Sequence, residues 1–279
     1  MSSRSAKIVV LALAVVLTSG VLWAQRQRGR GGRGGRGYQP AAEQAVLPTW
    51  ENTAKFPRDV FTFARVEFDS YGRGDWQNDF PDCDLNFSYR LQQLTAFKVN
   101  PNNRHLRLDD PELRDYPFLF LSNGQGMVLG DDEAKGLRQY LFNGGFLMVD
   151  DTWTRSQWEH IRGVFEQVLP GTTPVELQLD HPIFHIVYDL KALPQVPSIF
   201  AWRQGDKFEH WHGDSEGDEG PHFWGYHDDK GRLMVLCCHN NDIGDGWERE
   251  GEESEYFRLY SEKWSYPFGI NVVTYAMTH

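Results

Sequence analysis

Apolar positions along the chain switch repeatedly between a period of two and a period near 3.6, and from about Val60 these switches mark out secondary-structure elements. Phe61 to Phe68 alternates and is rich in aromatic and β-branched side chains, which predicts a first strand. Asp84 stands as an N-cap before Phe87, Leu91 and Leu94, whose spacing predicts one face of a helix. Phe118 to Leu121 is an unbroken apolar run ended by Ser122, Asn123 and Gly124, the pattern of a strand buried on both sides. Asp131, Asp132 and Glu133 open a second helix with Leu137 and Leu141 on its apolar stripe, and Asn143, Gly144 and Gly145 close it. Phe146 to Val149 is the next strand and runs straight into Asp150 and Asp151. Ser156 and Glu159 have the spacing of a capping box for a helix carrying Trp158, Ile161, Phe165 and Val168, and Pro170 and Gly171 stop it. With one more strand over Val175 to Leu179, the alternation predicts a mostly parallel sheet with helices on both faces.

Past Pro194 the pattern changes. Residues 203 to 221 are polar and acidic and read as a long surface excursion. His222 to His227 and Arg232 to Cys238 read as a β-hairpin, and Phe268 to Met277 as a terminal helix packed on the sheet. At the other end, Arg4 and Lys7 precede an apolar run from Ile8 to Leu17 that leads on to Trp23 and Ala24. Charged, apolar and small in that order, the segment predicts an export signal cleaved after Ala24; an uncleaved signal anchoring the chain in the inner membrane is the alternative. The chain is accordingly expected in the periplasm or outside the cell. Residues 25 to 40 are low-complexity Arg and Gly, and the linker is taken to extend to residue 55 before the domain of residues 56 to 279.

Charge sharpens this division. The whole chain has 279 residues and a net charge of −11, but its first 40 residues hold seven basic side chains and no acid. The remainder sets 21 basic residues against 39 acidic ones, a net of −18. A body so acidic repels nucleic acid, so no nucleic-acid partner is expected. Behind an export signal, the basic segment suits an anionic envelope polymer, a lipid surface or the acidic body itself; a solvated spacer is the plainer reading. Three cysteines, Cys83, Cys237 and Cys238, are an odd number for an oxidising compartment. The adjacent pair point to opposite faces of a strand, so one of them is available to Cys83 and the other is left free. No zinc spacing surrounds them.

Four segments taken together, YLFNGGFLMVDD, LDHPIFHIVYDL, NNDIGDGWE and FGINVVTYAMTH, resemble an uncharacterised bacterial domain family of unknown function over roughly residues 58 to 279. That family is similar in turn to the class I glutamine amidotransferase-like fold, which includes the ThuA-like proteins. The resemblance implies an α/β, flavodoxin-like three-layer sandwich. Active amidotransferases of this fold carry a nucleophilic cysteine on the sharp turn after a central strand. The matching turn here holds Asp150 and Asp151, so glutaminase activity is not expected.

Open α/β sheets place ligands beyond the carboxyl ends of their strands, and polar residues follow three such ends. Asp150, Asp151 and Trp153 follow one; His181 and His185 bracket Pro182 and Ile183 after another; Asn240, Asn241, Asp242 and Asp245 follow the hairpin. If these loops converge, Asp150, Asp151, His181 and His185 are the catalytic candidates, with Trp153, Asn241, Asp242 and Asp245 binding ligand. The structural readings are that the acids cap turns and that HPIFH is a rigid turn. Asn240 to Asp245 lacks the ligand alternation of a calcium loop. His210, His212, His222 and His227, with Asp214, Glu216, Asp218 and Glu219, invite a metal, although a polar excursion is more often a solvated face. No cofactor is assigned. Two function classes stand: a non-catalytic or small-molecule-binding envelope module, and a carbohydrate-active or other hydrolase using Asp and His. Adhesion through the basic tail is a third.

Overall fold

The computed structural model describes residues 49–52, 60–72, 74–213 and 217–279. The export signal, its alternative as an anchor, and the Arg/Gly segment lie outside the described residues. Among those described, no helix is long and apolar enough to cross a membrane.

The strands in chain order are β1 (Ala64–Val66), β2 (Asp69–Ser70), β3 (Arg104–Leu106), β4 (Phe118–Ser122), β5 (Met127–Val128), β6 (Phe146–Thr152), β7 (Val175–Glu176), β8 (His222–His227) and β9 (Leu233–His239). The helices are α1 (Asp82–Leu94), α2 (Asp131–Phe142), α3 (Thr154–Val168), α4 (Ile199–Arg203), α5 (Asp245–Glu248), α6 (Ser254–Tyr256) and α7 (Tyr266–Thr278). A π-helical stretch, Phe257–Ser265, joins α6 to α7. Seven strands form one sheet in the order β3-β1-β4-β6-β9-β8-β7, and β2 pairs with β5 separately. β3, β1, β4, β6 and β9 are parallel, while β8 is antiparallel to both β9 and β7. Numbered among themselves, the five parallel strands run 2-1-3-4-5, the order of flavodoxin-like doubly wound sheets.

Side-chain alternation explains the layers. Phe118, Phe120, Phe146, Met148, Leu236 and Cys238 face one way, against α1 and α7. Leu119, Leu121, Leu147, Val149, Val235 and Cys237 face the other, against α2 and α3. A strand sandwiched between helices has no solvated side, which is why β4 reads as a continuous apolar run.

Several elements differ from the sequence expectation. The first strand is only Ala64–Val66, because Phe61 joins the sheet through a single bridge to Val99. The helix expected to start at Asp84 starts at Asp82, and Asp84 is buried against Arg65 at 2.5 Å. Ser156 does not cap α3; the helix begins at Thr154, and Gln157 Oε1 accepts the Trp153 N–H instead. The strand expected over Val175 to Leu179 is the two-residue edge strand β7, antiparallel to its neighbour. All three cysteines are free and buried: Cys83 lies in α1, and Cys237 and Cys238 lie within β9 on opposite faces of the sheet. No pairing of Cys83 is formed.

Candidate functional site

The carboxyl ends of β4, β6 and β9 lie side by side, so the loops leaving them are neighbours whatever their sequence. β6 carries one residue more than β9 near this end, since Val149 faces Cys237 and Thr152 faces His239. That bulge falls on Asp150 and Asp151, and Asp151 adopts a left-handed backbone with φ 54°. Asn123 after β4, Thr154 after β6 and Asn240 after β9 are left-handed too, as is Asp79 in the loop before α1. Four of these five residues are Asn or Asp, the side chains that best tolerate the conformation; Thr154 is β-branched and strained.

Seven acidic side chains are buried among these loops: Asp79, Asp150, Asp151, Glu209, Asp242, Asp245 and Glu248. Asp150 Oδ2 accepts the Gly244 N–H at 2.7 Å, whereas its Oδ1 has no hydrogen-bond partner. Asp151 Oδ1 accepts from Trp153 Nε1 at 2.8 Å. Asn78 Nδ2 donates to both Asp79 Oδ1, at 2.9 Å, and Asp151 Oδ2, at 3.1 Å. Ser122 Oγ donates to Asp79 Oδ2 at 3.3 Å. Asp242 Oδ1 accepts the Asp245 N–H at 2.8 Å. Asp245 accepts from Ile199 N at 2.5 Å and from Arg249 Nε at 3.0 Å, and Arg249 Nε lies 2.5 Å from Glu248 Oε2.

Loss of hydration and mutual repulsion govern the protonation of this group. Burial pushes Asp150 up to about 7 against the pull of the backbone N–H groups around it. Burial, then the nearby Asp245, raises Asp79 to about 7. Burial likewise holds Asp151 and Asp242 well above the usual carboxylate range, helped by Glu209 in the first case and Asp151 in the second. Glu248 rises to about 11 through burial and then the charges of Asp79 and Asp245.

Of the residues expected from sequence, Asp150, Asp151, Trp153, Asp242 and Asp245 come together here. Asn241 lies beside them, but its side chain is spent on backbone, accepting from Val196 N at 2.8 Å and donating to Pro194 O at 3.1 Å. His181 and His185 do not join the group. The His181 ring sits 6.3 Å from that of His227, at the end of β8 that pairs with the start of β9, opposite the acids. His181 Nδ1 accepts the Ile183 N–H at 3.2 Å, and His185 bonds Leu179 O and Asp189, so HPIFH is a turn holding itself together. In the His/acid excursion Asp214 and Glu216 lie outside the described residues, and the described members do not form a group with metal-ligand spacing. His212 pairs with Glu209, while His222 lies between Glu176 and Asp218. Among the described residues, the one group of His, Cys, Asp or Glu with metal-ligand spacing is Asp79, Asp245 and Glu248.

Sequence reasoning missed Asp79, Glu209, Glu248 and Arg249. Asp245 and Glu248 stand three apart on a helical turn, a spacing that places both on one face and was available as a signal. Asp79 carried no such signal; it arrives from a loop far away in sequence. A surface groove of about 470 Å³, lined by Leu108, Tyr116, Pro117, Gln139 and Gly145 among others, lies at the opposite end of the sheet, where β4 and β6 begin.

A mixed α/β chain with a mostly parallel seven-strand sheet and a buried acidic cluster beyond its carboxyl end is thus the class in hand. Residues 62–277 match a family described as a domain of unknown function, DUF4159, and the chain belongs to that family. A comparison with curated proteins gives no match.

Proposed function

We propose that the domain is a non-catalytic binding module for a positively charged ligand, received at the carboxyl end of the sheet on an amidotransferase-like scaffold without its nucleophile. The observation that supports this is charge imbalance. Seven buried acids are met, among the described residues, by Arg249, by His212 on Glu209 and by the charge of Arg65 near Asp79, and Arg65 is already paired with Asp84. Buried carboxylates left without countercharge are costly, so such a cluster either keeps protons or takes up a cation. The state of the thiols supports a scaffold without glutaminase chemistry. Burial pushes Cys83, Cys237 and Cys238 upward, which keeps them protonated, and none stands on a strand-to-helix turn. A hydrolase pairing Asp with His181 or His185 draws no support from a geometry that separates them. The charged, apolar and small-residue order at the amino terminus supports export, and the basic composition of residues 25 to 40 suits an anionic surface as partner.

The test is thermal unfolding of the wild type and Asp150→Asn with a panel of cationic probes: divalent metal ions, spermidine and glucosamine. The reading expects at least one probe to raise the wild-type melting temperature and to raise that of the variant less. A panel without effect on the wild type overturns it.

A further inference from the structure

The acids differ in how they are arranged, and this difference narrows the ligand; the inference rests on the binding-module reading above. We propose that Asp79, Asp245 and Glu248 bind a hard divalent cation of about the size of calcium, with the buried carboxylate of Asp150 beside them. One carboxylate oxygen from each of the three residues lies within 4.8 Å of the others, and all three residues are buried. Opposite ligands of a calcium ion, each bonded at about 2.4 Å, stand about 4.8 Å apart, so the three oxygens fit one coordination sphere. The donors are carboxylates alone, which select hard cations over zinc or copper.

The second observation comes from Asp150, outside the three. This side chain is fully buried, and its Oδ1 has no hydrogen-bond partner, a rare state for a buried carboxylate oxygen. It stands close to Asp79. A Cβ added at Gly244 would lie 3.2 Å from Asp79 Oδ2 and 3.4 Å from Asp150 Oδ2, so both carboxylates border the same spot beside Gly244. Asp245 and Glu248 reach the same region from the first and last residues of α5. Arg249 pairs with both Asp245 and Glu248 and is itself shared with Glu252 at 2.9 Å, and Arg65, paired with Asp84, adds its charge near Asp79; Asp79, Asp150, Asp245 and Glu248 still outnumber these two cations.

The experiment uses the full chain, stripped with EDTA and returned to chelator-free buffer. Calcium, magnesium, manganese and spermidine are titrated by calorimetry into the wild type, Asp79→Asn, Glu248→Gln and the exposed control Glu112→Gln. Calcium is expected to bind the wild type and the control alike, with Kd weakened at least tenfold in Asp79→Asn and Glu248→Gln. At pH 8 the ion-free melting temperature of Asp79→Asn is expected to be equal to or above that of the wild type, because it loses one of several like charges. As a readout independent of their folding, terbium is bound to the wild type and to Trp247→Phe. Trp247 adjoins Glu248 in α5, so sensitised emission should fall in Trp247→Phe while calcium still displaces the terbium. If spermidine binds and no divalent ion does, the metal site is wrong and the cationic-ligand reading stands. If calcium binds all variants equally, or terbium emission is indifferent to Trp247, the ion sits elsewhere and this inference is overturned. If no cation binds, both readings fall.

Discussion

Asp150→Asn isolates the cost of the buried charge. Burial lifts the Asp150 carboxyl from 3.8 to about 7, a rise of roughly three units, or about 4 kcal/mol when fully expressed. Because the folded state holds the proton more tightly than the unfolded chain, the carboxyl's contribution to stability is fully present below pH 3.8. It is lost progressively as pH rises through 7. At pH 8 the wild type therefore carries this penalty and the amide does not. Against the gain stands the 2.7 Å bond from Gly244 N–H, which an amide oxygen still accepts but more weakly, at a loss of about 1 kcal/mol. Neighbouring acids share the penalty, so a net stabilisation of about 2 kcal/mol is expected at pH 8, shrinking to nothing or reversing below pH 4. Urea unfolding of both proteins in EDTA, at pH 8 and pH 4, measures it. An Asn variant less stable than the wild type at pH 8, or a difference independent of pH, would refute the claim that the cluster holds uncompensated charge.

Elsewhere, Arg65→Met should destabilise by about 3–5 kcal/mol, because it strands the fully buried Asp84; adding Asp84→Leu should recover most of this loss in the same unfolding assay. Gly136→Ala should cost about 3 kcal/mol, since a Cβ there would sit 2.0 Å from the Leu108 carbonyl oxygen and one backbone would have to move; a melting temperature like that of the wild type would show the contact to be soft. His239, brought down to about 4 by burial and by His222, should behave oppositely to Asp150. Its contribution is present above pH 6.5 and lost as pH falls to 4, so the wild type should lose up to about 3 kcal/mol relative to His239→Phe across that window, measured by denaturant titration.

How far the chain could be read in advance depended on whether a signal was local. α2, β4 and the β8–β9 hairpin were legible because the apolar period of each and its end signals are contiguous in sequence. The start of α3 was misplaced because Ser156 and Glu159 imitate a capping box, while the N–H at Trp153 takes its acceptor from Gln157. Val175 to Leu179 reads as one more strand, but the strand formed is Val175–Glu176, antiparallel at the edge of the sheet. At the site, Asp150, Asp151, Asp242 and Asp245 were visible as polar residues ending apolar runs. Their meeting with Asp79 was not, because that contact depends on strand order. His181 and His185 were misjudged for the same reason. Following a strand-like run says nothing about which end of the sheet a loop occupies when the next strand, β8, is antiparallel.

Strand order also shapes the birth of the chain. β6 lies in the middle of the sheet, but its partner β9 begins about 80 residues later in the sequence, so at a synthesis rate of about 5–20 residues per second the growing polypeptide exposes that edge for roughly 4–16 seconds. An open, apolar strand edge invites pairing with other chains. Asp150 and Asp151 end this waiting edge, and on an unfolded chain in water both carboxylates are ionised, a charge that opposes pairing of the edge with other chains.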